Sequence, residues 1–201
     1  MKIIGLTGGI ASGKNFVAAI FEQKGAAVFD ADREVHSLLE LDKPTILEVK
    51  KSFPESFVEG KINRKILGKI VFSDPKKLQI LEKILHPKVR EKYQEFLSEA
   101  QKLKKKLAVL NIPLFLETKA YSCDKIVAII APPSIQKRRF LARAKKITVA
   151  EKKNLEKKFE QIRAKQISNS ERKSRADFVV NSGVSKSGTA DQVEEIISNL
   201  L

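Results

Sequence analysis

A single cysteine, Cys123, stands among 201 residues. It can close no disulfide within the chain and supports no all-cysteine metal site, so a reducing cytoplasm is the expected setting. Tryptophan is absent and aromatics make up only 6%, a poor supply of the flat side chains on which nucleic-acid bases stack. No apolar run approaches the roughly 20 residues of a membrane span; the longest clean ones, such as residues 126–133, are far shorter. The amino terminus reaches Gly8 and Gly9 after a few apolar residues, without the h-region of a secretory signal. There is no N-K-x-D sequence to read guanine, no internal repeat and no low-complexity linker. A membrane protein, a disulfide scaffold and a regulatory GTPase are therefore not expected.

What is present argues for a globular core: 42% hydrophobic residues beside 31% charged ones. The 39 basic and 24 acidic side chains leave a net charge of +15, which suits either a nucleic-acid footprint or a lysine-rich surface. Most lysines fall in amphipathic stretches such as residues 102–106 and 152–158, which read as solvated helix faces. Arginine is more concentrated. Arg138, Arg139 and Arg143 lie close together, an arrangement that favours a bidentate phosphate clamp. With aromatics so scarce, no nucleic-acid partner is expected.

Five short apolar runs, at residues 2–6, 26–29, 107–112, 126–130 and 178–180, each end in glycine, proline, asparagine or aspartate, with helical patterns between them. Strands alternating with helices predict an α/β fold, a parallel sheet covered on both faces with ligands at the carboxyl ends of its strands. Residues 44–106 read as several helices, an insertion able to build an acceptor site, and a second helical segment at 134–173 carries the arginines.

The decisive motif is the run from Gly8 through Gly9, Ile10, Ala11, Ser12, Gly13 and Lys14 to Asn15, which fits G-x-x-x-x-G-K with asparagine where serine or threonine is usual. Its amides and the following helix amino terminus would cradle phosphate oxygens, and Lys14 would reach the terminal phosphates. A carboxamide oxygen at Asn15 can still ligate Mg²⁺, in a different geometry from a hydroxyl. Asp30 and Asp32 follow the second strand; one of them could accept a proton from an acceptor hydroxyl and help hold a metal. Position alone equally allows a helix cap by Asp32, with Asp30 in the turn.

These residues together resemble the dephospho-coenzyme A kinase family. The similarity runs from the segment 4–10 to the Ala176, Asp177, Phe178 stretch ending at Asn181. Between them lie Asp30 and Asp32, the segment 60–64 ending in Arg64, Val71 and Phe72, then Leu85, His86 and Pro87. Pro113, Leu114, Phe115, Leu116 and Glu117 follow, then Gln136, Arg139 and Arg143. The resemblance implies a P-loop NTPase, nucleoside-monophosphate-kinase-like three-layer fold with a five-stranded parallel sheet, a helical acceptor-binding insertion (about 44–106) and a helical lid (about 134–173). The core would comprise about 1–43, 107–133 and 174–201, all in one kinase domain of 1–201.

It further implies ATP and dephospho-coenzyme A as substrates, Mg²⁺ as cofactor, and transfer of the γ-phosphoryl group to the ribose 3′-hydroxyl. Another small-molecule or nucleotide kinase of the same fold is the alternative. Asp32, Lys14, Arg139 and Arg143 are then the catalytic candidates. Gly9, Ile10, Ala11, Ser12, Gly13, Lys14, Asn15 and Phe16 are expected to bind ATP, and Asn15 and Asp32 the metal. Asp30, Asp32, Arg64, His86 and Glu117 are the acceptor-binding candidates. For His86 the other reading is a structural histidine that ends a helix at Pro87, and for Glu117 a helix-start carboxylate. Three positions depart from the family pattern: Asn15 and Phe16 replace a serine or threonine and a small residue, and Asn63 replaces an aspartate common before Arg64.

Overall fold

The computed structural model describes residues 1–113, 115–118, 121–144 and 148–201. Leu114 of the similarity motif and residues 145–147 of the expected lid lie outside the described residues. In chain order, β1 (Lys2–Gly8), α1 (Lys14–Gln23) and β2 (Ala27–Asp30) come first. Next are α2 (Ala31–Leu41), α3 (Lys43–Ser52), a 3-10 turn at Pro54–Ser56, β3 (Phe57–Val58), β4 (Lys61–Ile62), α4 (Arg64–Phe72) and α5 (Pro75–Lys102). Then follow β5 (Leu107–Asn111), α6 (Phe115–Thr118), β6 (Lys125–Ile130), α7 (Pro133–Leu141), α8 (Val149–Ala164), α9 (Asn169–Ser174), β7 (Phe178–Asn181) and α10 (Lys186–Leu200). The chain divides into two compact units, Met1–Phe29 with Ala100–Leu201, and Asp30–Glu99.

The first unit is built on a five-stranded sheet of order β2-β5-β1-β6-β7. β1 runs parallel to β5, with Leu6 opposite Asn111, and parallel to β6; β6 in turn runs parallel to β7. The five apolar runs of the sequence are these five strands. Alternation selects one face: Ile4 and Leu6, Leu107 and Val109, Val127 and Ile129, and Val180 pack with Val17, Phe21, Val193 and Ile197 of α1 and α10. Gly5 and Thr7 alternate with that set and belong to the opposite face, where Phe115 of α6 and Arg172 of α9 approach β1.

The second unit has its own core of Leu39, Val49, Phe53, Ile62, Leu67, Val71, Leu81 and Leu85. Two features differ from the sequence expectation. The stretch read as wholly helical contains an antiparallel hairpin, β3 with β4. Glu59 at φ 49° and Gly60 at φ 80° form its two-residue turn, the positive-φ pair that matches the twist of the flanking strands. Strands of two residues are too short to show alternation. Secondly, no helix ends at His86. α5 continues through Pro87 to Lys102. A proline inside a helix costs about 3 kcal/mol, but Leu81, Leu85 and Val89 are buried at four-residue spacing, and each such side chain contributes ~1.5–3 kcal/mol. The stripe outweighs the break.

Candidate functional site

The loop between β1 and α1 is shaped by backbone conformation. Ala11 has φ 54° and Gly13 φ 97°, left-handed values that glycine adopts without strain and that let the chain curl back on itself. Ser12 N–H donates to Gly9 O at 3.1 Å, and Val17 N–H to Gly13 O at 3.1 Å, so α1 begins directly at Lys14. A side chain at Gly13 would crowd Ser182 Oγ and the Arg139 guanidinium. The amide N–H groups of the first helical turn face outward from a positive helix end, with no acidic residue in that turn to compete for them. This is an anion cradle.

Three side chains brace it from the carboxyl-terminal part of the unit. Arg139 of α7 donates from Nη1 to Ser12 O (3.3 Å) and Ser182 Oγ (3.1 Å), and from Nη2 to Ser182 O at 2.6 Å. Ser182 Oγ itself donates to Ser12 O. Gln166 accepts the Ile10 N–H at 2.8 Å. Gly9, Pro133, Gln136, Arg163, Gln166 and Asn169 line a cavity of about 510 Å³ beside the loop, within the size range of small-ligand sites. Arg143 is exposed and makes no ion pair among the described residues.

Asn15 and Phe16, the two departures in the loop, are both exposed. Asn15 Oδ1 accepts a hydrogen bond from Nδ2 of Asn111, the last residue of β5, at 3.2 Å. Among the described residues no group of three His, Cys, Asp or Glu side chains could hold a metal. The loop therefore offers a divalent cation a neutral amide oxygen, already engaged. That donor set fits an Mg²⁺ held chiefly by nucleotide phosphates and water, and does not fit a cage built of protein groups.

Beneath the loop, Arg172 is fully buried, and its Nη1 donates to Thr7 Oγ1 at 2.5 Å while Nη2 pairs with Glu117 Oε1 at 3.1 Å. Arg172 Nε and Glu117 Oε2 are buried without a hydrogen-bond partner among the described residues. One oxygen of Glu117 is thus committed to an arginine.

In the second unit, Asp30 and not Asp32 caps α2: the Asp30 carboxylate accepts the Arg33 N–H at 3.0 Å. The sequence reading that made Asp32 the cap is corrected by this geometry, because a cap must precede the first turn and Asp32 lies within it. Asp32 is exposed. Arg64 opens α4 just after its cap Asn63, whose Oδ1 accepts the N–H groups of Lys65 and Ile66; the asparagine keeps the capping role an aspartate has there. Arg64 also lines a cleft of about 160 Å³ with Glu40, Gly60 and Lys61. His86 is exposed on α5.

The structure brings together the segment from Gly9 to Phe16 with Arg139, and places Glu117 on Arg172 in the same unit. Asp30, Asp32, Arg64 and His86 belong to the other. Sequence reasoning missed Ser182, Gln166, Asn111 and Arg172. Ser182 and Asn111 stand at strand ends, the one signal that pointed to them.

Comparison with known proteins follows the same lines. The sequence pattern of the dephospho-CoA kinase family matches residues 2–187. The chain is similar to the dephospho-CoA kinase of Bartonella henselae, with 43% identity over 100% of this chain and 99% of the relative. To that of Wolbachia pipientis the identity is 36%, over 98% and 97%. Among solved structures, the dephospho-CoA kinase from Campylobacter jejuni superposes with a TM-score of 0.65 at 27% identity, covering 99% of this chain and 97% of the other. A crystal structure of a Thermus thermophilus protein superposes with a TM-score of 0.81 at 30% identity, covering 100% and 97%.

Proposed function

The chain belongs to the dephospho-CoA kinase family, and from that premise we propose how its residues divide the work of phosphorylating dephospho-CoA in the final step of CoA synthesis. ATP is the donor and the ribose 3′-hydroxyl the acceptor. The observation that carries this reading is the cradle itself, a left-handed glycine loop opening on α1 with Lys14 as its first helical residue.

Phosphoryl transfer asks little covalent chemistry of a protein; position and charge neutralisation supply most of the rate. The loop amides hold the phosphates, and the Lys14 ammonium neutralises their terminal oxygens. Asp32, left in the first turn of α2 by the cap at Asp30, takes the proton of the attacking hydroxyl. Arg139 stabilises the loop and, with the exposed Arg143, adds positive charge where the transferred group passes. The helical segment that bears them acts as a lid excluding water, which would otherwise accept the phosphoryl group. Arg64, His86 and Glu117 are assigned to the acceptor. Asp32 is also the carboxylate that would help hold Mg²⁺, which, bound with the nucleotide, would supply further neutralisation of phosphate charge. The cytoplasm, expected from the single cysteine, is the setting.

The test is direct: purified protein with ATP, Mg²⁺ and, separately, dephospho-CoA, adenosine, AMP and shikimate. CoA and ADP should form in equal amounts from the first and no product from the rest. A second acceptor used as fast would overturn the assignment.

A further inference from the structure

P-loop phosphotransferases hold their divalent cation with a hydroxyl after the loop lysine and a carboxylate from a neighbouring strand. In this chain both places are amides. Asn15 follows Lys14 directly. Asn111 ends β5, the strand paired with β1 on the side where Leu6 faces Asn111, and it is buried at 3% exposure. The two are joined, Asn111 Nδ2 donating to Asn15 Oδ1. A hydroxyl and a carboxylate would present a charge of −1 and two oxygen ligands; this pair presents no charge, and its outer oxygen is already an acceptor.

We infer that Asn111 is a positioning residue that turns Asn15 into a phosphate donor instead of a metal ligand, so that the loop binds ATP nearly as well without a divalent cation as with one. A carboxamide is planar, with oxygen and NH₂ on opposite arms. Fixing Oδ1 on the buried Asn111 turns Nδ2 away from it, towards the exposed side of Asn15. That Nδ2 makes no hydrogen bond among the described residues, and it stands at the helix end where phosphate oxygens arrive. An N–H to a charged oxygen is among the stronger hydrogen bonds. With no carboxylate at position 111, nothing there repels the extra negative charge of metal-free ATP.

The inference deepens the kinase reading and rests on ATP as its nucleotide; its test reads binding, not turnover. Calorimetric titration of the natural protein, Asn15→Ser and Asn111→Asp with ATP is run in Mg²⁺ and again in EDTA, with thermal melting of each protein alongside. The natural protein should bind ATP in EDTA within about threefold of its affinity in Mg²⁺. Asn111→Asp should lose about tenfold or more in EDTA while keeping its affinity in Mg²⁺, a carboxylate near phosphate being costly until a cation screens it. Asn15→Ser, at an exposed position and independent of whether the buried aspartate is tolerated, should lose about tenfold in EDTA, the scale of a hydrogen bond to a charged group. A purely structural amide pair would move both conditions together. The inference is overturned if the natural protein loses more than about thirtyfold in EDTA, or if Asn15→Ser leaves the ratio of the two affinities unchanged. ATP binding in neither condition overturns the kinase reading and this one with it.

Discussion

Replacing Arg172 by methionine removes a guanidinium with no exposure at all. Glu117 then loses its 3.1 Å contact and Thr7 Oγ1 its 2.5 Å hydrogen bond. Removing one partner of a buried pair costs about 3–5 kcal/mol, because the other charge stays behind in a medium that solvates it badly. Two observations favour the lower end. Glu117 keeps 20% exposure, so water or a proton relieves part of the penalty, and the native pair is itself imperfect, with Arg172 Nε and Glu117 Oε2 unpartnered among the described residues. The expected loss is about 3 kcal/mol, which in a chain of this size lowers Tm by ~6–12 °C.

Arg172→Met combined with Glu117→Gln leaves no charge and should recover at least half of that loss. Thermal unfolding of the natural protein, both single variants and the double variant measures the coupling. A single variant melting within about 2 °C of the natural protein, or a double variant losing the sum of the singles, would refute the buried-pair argument. Acceptor kinetics on Glu117→Gln divide its two assignments: a raised KM for dephospho-CoA at unchanged Tm places Oε2 on the acceptor, and the reverse pattern makes Glu117 a support for Arg172.

Asp32→Asn should lower kcat by ~10²–10⁴ with little change in ATP affinity, whereas Asp30→Ala should cost α2 its cap, about 1 kcal/mol, and show first in melting. The opposite result would exchange their roles. Arg139→Ala should weaken ATP binding by loosening the carbonyls of Ser12 and Ser182, and Arg143→Ala should instead raise hydrolysis of ATP relative to transfer; unchanged kinetics in both would reduce the cluster to a basic surface. The Lys125 ammonium and then the Ile126 N–H hold the Asp177 carboxyl below its ordinary value of 3.8. A depressed carboxylate stabilises the fold above that value and ceases to do so as pH falls through the lower, folded one. Asp177→Asn should therefore flatten the loss of Tm below about pH 4, and an unaltered acid limb would contradict the assignment.

The strands and the phosphate loop were legible because each rests on a local pattern: three to six residues of apolar run, or glycines at fixed spacing before Lys14. The core contacts that tune the site were not. Asn111 meets Asn15, Ser182 meets Ser12, and Arg172 meets Thr7 over separations of 96, 170 and 165 residues, and no periodicity encodes such pairs. His86 was misplaced at a helix end because proline is a breaker in isolation, while the buried stripe from Leu81 to Val89 that overrides it becomes decisive only in the packed unit. The choice between Asp30 and Asp32 as cap hung on a shift of two residues at a helix boundary, where sequence patterns are least exact.

The interleaving of the sheet sets an order of events during synthesis. β1 and β2 are the first two strands to be made, yet in the sheet both flank β5, whose first residue, Leu107, pairs with Lys2. At roughly 5–20 residues per second the ribosome takes about 5–20 s to cover the intervening stretch of about 100 residues. For that interval two apolar strands leave the tunnel with no neighbour to pair with. The segment Asp30–Glu99 that emerges meanwhile is contiguous and holds its own core, so it can collapse before the sheet exists. The nascent chain is thus exposed along β1 and β2 until β5 emerges, and a holding chaperone has its natural target in their apolar residues.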